Sequence, residues 1–186
     1  MDKPSHAAPR PDVWLPADAG DIGDFKALIA RKTQQADAPQ AVEIAHNIPV
    51  YNATLVSAAA SQQNTRLALL AEWNTVFDTG PGVLAIRGAL KPDTVDRATT
   101  LFEALITKEK EEGTGAGDHF AKPGANDRVW NAAQKHCLAD PESFAAYYAN
   151  DTIAMASTAW LGRGYQLTAQ VNRVNPGGAA QTAPRD

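Results

Sequence analysis

The sequence predicts an α+β fold, with helices through most of the chain and strands gathered towards its carboxyl-terminal end. Three observations carry this expectation. Apolar residues recur at intervals of three and four through the middle of the chain, and a period of two takes over beyond Gly164. The 36 alanines among 186 residues leave few large apolar side chains, which suits Ala-rich helices around a modest core.

Taken in order, residues 1–20 carry Pro4, Pro9, Pro11 and Pro16 among Ala and Asp. That composition buries too little surface to offset ordering, so a flexible arm is expected, followed by one domain over 21–186. A short helix is expected from Asp24 to Lys32, then a polar stretch, then an extended piece at Ile48 to Tyr51 because Pro49 disfavours helix before it. From Gln62 to Asp78, Leu67, Leu70, Trp73, Val76 and Phe77 form one helical face, stopped by Gly80, Pro81 and Gly82. Val83 to Ile86 is short, apolar and closed by Gly88, which predicts a buried strand. Pro92 and Asp93 open the next helix, with Asp93 as its expected N-cap and Val95, Ala98, Leu101, Phe102, Leu105 and Ile106 as its apolar face.

Thr114 to Gly117 reads as a turn and Asp118 to Ala125 as a loop, with a third helix expected from Asp127 to Cys137. Asp140, Pro141 and Glu142 combine an N-cap, a proline at the first helical position and an early acid, so a helix runs from there to Tyr148. Asn150 punctuates it, and Asp151 starts another that Gly162 and Gly164 end. Over Tyr165 to Asn175, Gln166, Thr168, Gln170 and Asn172 share one strand face. Such a polar row either meets solvent or lines the interior of a barrel. Asn175 to Gly178 forms a tight turn, and residues 179–186 read as the next strand beginning.

Composition narrows the function classes. A net charge of −4 lacks the basic excess that phosphate neutralisation requires, so nucleic acid is not an expected partner. No run approaches the ~18 apolar residues of a membrane span, and the amino terminus lacks the apolar core of a signal peptide. One cysteine, Cys137, allows no internal disulfide and excludes a thiolate zinc cage, which fits a reducing cytoplasm.

Most motif matches dissolve on inspection. Asp78, Thr79 and Gly80 spell the aspartic-protease triplet but end a helix and occur once. Asn52 to Thr54 and Asn150 to Thr152 match a glycosylation acceptor, which carries no meaning without secretion. None of His6, His46, His119 and His136 has the spacing of metal ligands on one strand or helix. His136, beside Cys137, is expected as a cation at a helix end. His119 is a candidate only because it shares a loop with Asp118, Lys122 and Asn126.

The runs Asp118 to Trp130, Tyr147 to Asn150, Trp160 to Gly162, Gln170 to Asn172 and Asn175 to Gln181 resemble the phytanoyl-CoA dioxygenase family. The resemblance covers roughly Val83 to Asp186 and is to an amino-terminal half. It implies a non-haem Fe(II), 2-oxoglutarate-dependent oxygenase on a double-stranded β-helix, a jelly roll, with amino-terminal helices outside it and the barrel incomplete in this chain. It further implies a His-x-Asp pair after Gln181, since residues two apart on a strand converge on one metal. Asp186 matches the carboxylate, while Pro184 stands where the histidine is expected and offers no donor. The resemblance thus implies a truncated dioxygenase, inactive as it stands, with Fe(II) and 2-oxoglutarate not bound by this chain alone. A non-catalytic helical module for binding or assembly is the alternative. The pocket for a small-molecule substrate or co-substrate is expected at Gln166, Thr168, Gln170, Asn172, His119 and Lys122, with Asp186 towards the metal and catalytic residues unassigned. An uncovered strand edge is expected to favour self-association.

Overall fold

A computed structural model describes residues 20–115 and 124–178. The arm expected over 1–20 lies outside the described residues except for Gly20. Contacts divide the chain into two units at Lys32 and Thr33. In the first, α1 (Ile22–Ala30) is N-capped by Asp21, whose carboxylate accepts the Asp24 N–H at 2.9 Å. That cap starts the helix two residues ahead of the expected Asp24, and extended Arg31 ends it.

The second unit is mixed α and β, as expected. After a single 3-10 turn at Gln35–Asp37, β1 (Glu43–Ala45) and β2 (Ile48–Asn52) form a hairpin. His46 and Asn47 both take positive φ, the backbone a two-residue hairpin turn demands. The Asn52 side chain then caps α2 (Ala53–Ala60) by accepting the Thr54 N–H, so this apparent glycosylation triplet is a helix start. Next comes α3 (Gln63–Asp78), close to its expected bounds. The chain crosses back to β3 (Ala85–Arg87), which pairs parallel with β2, giving the sheet order β1-β2-β3.

Two expectations need correction here. Leu69, Trp73 and Val76 are the buried residues of α3, while Leu67 is 49% exposed; the inward face is the one packed with Tyr51, Val56, Met155 and Ala159. The strand after Gly82 is not buried, with Val83 44% exposed, because β3 lies at a sheet edge and pairs only with β2 among the described residues.

α4 (Pro92–Glu111) begins at Pro92 with Lys91 as its N-cap; Asp93 sits in the first turn instead of capping it. Ala98 and Ile106 are its buried residues, and Val95 faces outward. Where a helix was expected from Asp127, the chain forms β4 (Asn126–Val129). Left-handed Asn131 breaks the path, and α5 (Ala132–Ala139) follows. α6 (Pro141–Tyr148) and α7 (Asp151–Leu161) take their expected starts, capped by Asp140 and Asn150.

The last strand of the described residues, β5 (Val171–Val174), is antiparallel to β4. It is shorter than the expected Tyr165 to Asn175 because β4 offers only four residues to pair with. The two sheets of the described residues do not close into a barrel.

The principal core joins Tyr51, Val56, Leu69, Trp73, Val76, Met155 and Ala159, contributed by β2, α2, α3 and α7. A smaller one joins Ile106, Val129 and Ala132, with Phe102, Ala169 and Val171 against it. It is this second core that carries the β4–β5 pair.

Candidate functional site

The register of β4 and β5 sets Asp127 opposite Arg173, Arg128 opposite Asn172, and Val129 opposite Val171. Alternation then sorts these side chains to two faces with different tasks.

The inner face holds Val129 and Val171 against the small core, and Asp127 and Arg173 beside them. Asp127 is only 7% exposed. Its carboxylate accepts from Lys110 of α4 at 2.7 Å, from Arg173 at 2.6 Å and from Asn175 at 3.2 Å. Burial alone would push this carboxyl up, but the bonds from Lys110, Arg173 and Asn175 outweigh it and hold Asp127 below the usual carboxylate range. Asn175 also donates to the Gly124 carbonyl at 3.1 Å, and its backbone N–H to Ala125. The Asn175 to Gly178 turn is therefore clasped to the start of β4. Glycine is required at 178, where a Cβ would lie 2.3 Å from the Ala125 carbonyl oxygen.

The opposite face is a polar and aromatic plate. The Arg128 guanidinium carbon lies 4.4 Å from the centroid of the Trp130 ring, and Arg128 donates to Gln170 Oε1 at 2.7 Å. Asn172, directly across from Arg128, is exposed. Stacking and a side-chain hydrogen bond pre-organise the guanidinium, which is suited to gripping a planar anion such as a carboxylate.

Of the site residues expected from sequence, Gln170 and Asn172 come together on this plate. Gln166 and Thr168 are exposed, lie before β5 begins and make no side-chain hydrogen bond to it among the described residues. His119 and Lys122, and likewise Pro184 and Asp186, lie outside the described residues. Arg128, Trp130 and the Asp127 clasp were assigned no role from sequence, because residues 127–137 read as a helix. The available signal was Arg-x-Trp, a two-residue spacing that stacks a cation on a ring only in extended chain.

His136 does lie in the last turn of its helix, but it is not the cation expected there. The imidazole is fully buried, and burial pushes its pKa down, against the opposing field of Asp140.

Comparison with known proteins adds one finding: the chain matches the family described as phytanoyl-CoA dioxygenase over residues 80–186, from the end of α3 through β5 and beyond. No curated protein and no solved structure gives a significant match.

Proposed function

The chain belongs to the phytanoyl-CoA dioxygenase family, and from that premise we propose that β4 and β5 are the first strands of a jelly-roll dioxygenase, with the Arg128 plate as one wall of its pocket. The observation that carries this reading is Arg128 held over Trp130 and bonded to Gln170 across the strand pair. A guanidinium fixed in this way meets the carboxylate of an anionic substrate or of a co-substrate such as 2-oxoglutarate, weakly and without iron, which departs from the expectation that this chain alone binds no 2-oxoglutarate. In this reading Asn172 borders the bound anion, Thr168 and Gln166 extend the wall, and His119 and Lys122, outside the described residues, are further candidate ligands of the same anion.

Iron(II) is the metal such an enzyme uses to activate oxygen, and the expected His-x-Asp pair is not complete here, Pro184 standing in place of its histidine. Among the described residues, no group of three or more His, Cys, Asp or Glu side chains is placed to hold a metal. Pro184 presents no donor two residues before Asp186. The chain alone is therefore inactive in this reading, and iron enters no step assigned to its residues. Anaerobic calorimetry with Fe(II) should show no stoichiometric binding at micromolar metal; tight one-to-one binding would overturn this and make His119 the first suspect.

The second reading, a non-catalytic module for binding or assembly, is favoured by Pro184. The two separate on one comparison. Weak binding of 2-oxoglutarate that Arg128→Ala abolishes supports the dioxygenase wall. No such binding, with self-association through the β5 edge in sedimentation, supports the module. No helix among the described residues is long and apolar enough to cross a membrane. The lone Cys137 fits a cytoplasmic protein.

A further inference from the structure

His136 occupies a closed box of aromatic rings. Phe102 of α4 lies 5.2 Å away between centroids, and Phe144, Tyr147 and Tyr148 of α6 lie 5.9, 6.2 and 5.9 Å away. All four contacts are edge-to-face. The imidazole Nε2 shares a hydrogen bond of 2.9 Å with the buried hydroxyl of Ser143, whereas Nδ1 is buried without a hydrogen-bond partner. In either tautomer the neutral ring satisfies Nε2 alone, and in the cation both nitrogens are N–H donors, so that Nδ1 is necessarily a donor with no acceptor.

The charged groups around the box are already committed. Asp140, at the N-cap of α6, accepts from the Ser143 backbone N–H and from Arg97 of α4, and these bonds hold it below the usual carboxylate range. Arg97 also reaches Glu142. Lys135 of α5 is paired with Glu109 of α4. Burial pushes the Tyr148 phenol up, away from neutrality.

We infer that the corner formed by α4, α5 and α6 is a proton-sensitive latch, shut around neutral His136 and loosened when the imidazole takes up a proton in mildly acid solution. The ring edges and faces of the box give a cation some compensation, but the unmet donor and the loss of water weigh against it. The direction follows from linkage. The opened corner binds the proton more readily than the closed one, so closure is fully favoured above the ordinary histidine value of about 6.5 and weakens as pH falls below it. The effect reaches the Arg128 plate, because α5 is joined to it: the Ala132 N–H donates to the carbonyl of Ala169, next to Gln170.

Hydrogen exchange of the whole chain at about pH 7.5 and about pH 5, corrected for intrinsic rates, tests the latch. Amides of 132–148 should lose protection at the lower pH by up to roughly ten-fold per pH unit below the histidine value, while those of 63–78 change little. His136→Gln keeps a hydrogen-bonding group for Ser143 and removes the titration, so its differential loss should vanish. An unchanged differential in His136→Gln, or none in the parent, would overturn the inference. Should that variant fail to fold, the parent's own imidazole resonance decides: a midpoint below the ordinary histidine value is expected, and an ordinary or raised one would overturn it.

Discussion

The two cores of the second unit bury different chemistry. The first, around Tyr51 and Trp73, is apolar and aromatic, with polar anchors at its edge: Glu72, which takes the Tyr51 hydroxyl at 2.8 Å and the Gln40 backbone and side-chain N–H groups, and Asn74, which donates to the Ala159 carbonyl at 2.9 Å. Beside the small second core, Asn126, Asp127, His136 and Ser143 are buried next to three buried apolar residues of the described chain, Ile106, Val129 and Ala132. An apolar core holds by excluded surface and tolerates changes in pH and salt. A core of paired polar groups holds only while each partner is present and in its proper ionisation state. The family match spans all of the second core, the part in which a lone proton or charge can decide the structure.

The largest effect that breaks this comparison should come from Trp73→Ala. It removes a fully buried indole and its edge contact with Tyr51 at 5.3 Å. A loss of about 3–5 kcal/mol is expected in urea unfolding, nearly independent of pH between neutrality and mild acid. Asp127→Asn should cost less, about 2 kcal/mol, because Lys110 and Arg173 keep roughly half their side chains in water and recover some solvation. Its signature is the pH profile. A carboxylate held low in the folded state contributes stability that is present above its unfolded value near 3.9 and lost as pH falls below it. The parent should therefore lose stability more steeply than Asp127→Asn as the solution is acidified through that range.

Two caps, both on helices of the first core, differ at smaller scale. Asn52→Ala removes a cap bond to Thr54 alone, for about 1 kcal/mol. Asn150→Ala removes bonds to the Thr152 and Ile153 N–H groups and also a side-chain bond to the Ala89 carbonyl, and should cost measurably more in the same urea assay.

What was legible in the sequence follows from range. Asp140-Pro141-Glu142 and Asn150-Asp151 are local signals, and both helices start where those residues place them. The Gln63–Asp78 helix was legible from its spacing, but which of Leu67 and Leu69 turns inward depends on partners supplied from distant elements, Tyr51 of β2 and Met155 and Ala159 of α7. β4 was illegible for the same reason. Nothing local to Asn126–Val129 demands a strand; its partner lies more than forty residues on, and Arg173 and Lys110 define the place of Asp127. Of the polar row, Gln170 bonds Arg128 and Asn172 lies across from it in register, whereas the placing of Arg128 and Trp130 required the register to be known.

The central claim is that the Arg128 plate meets a carboxylate ligand. Its most direct test is a titration of the chain with 2-oxoglutarate, followed by the indole N–H resonances of the four tryptophans, with Trp130 assigned by Trp130→Phe. A saturable shift of the Trp130 resonance is expected, with Trp73 unmoved and the shift abolished in Arg128→Ala. A Trp130 resonance that does not move, or one that moves equally in Arg128→Ala, would contradict the claim.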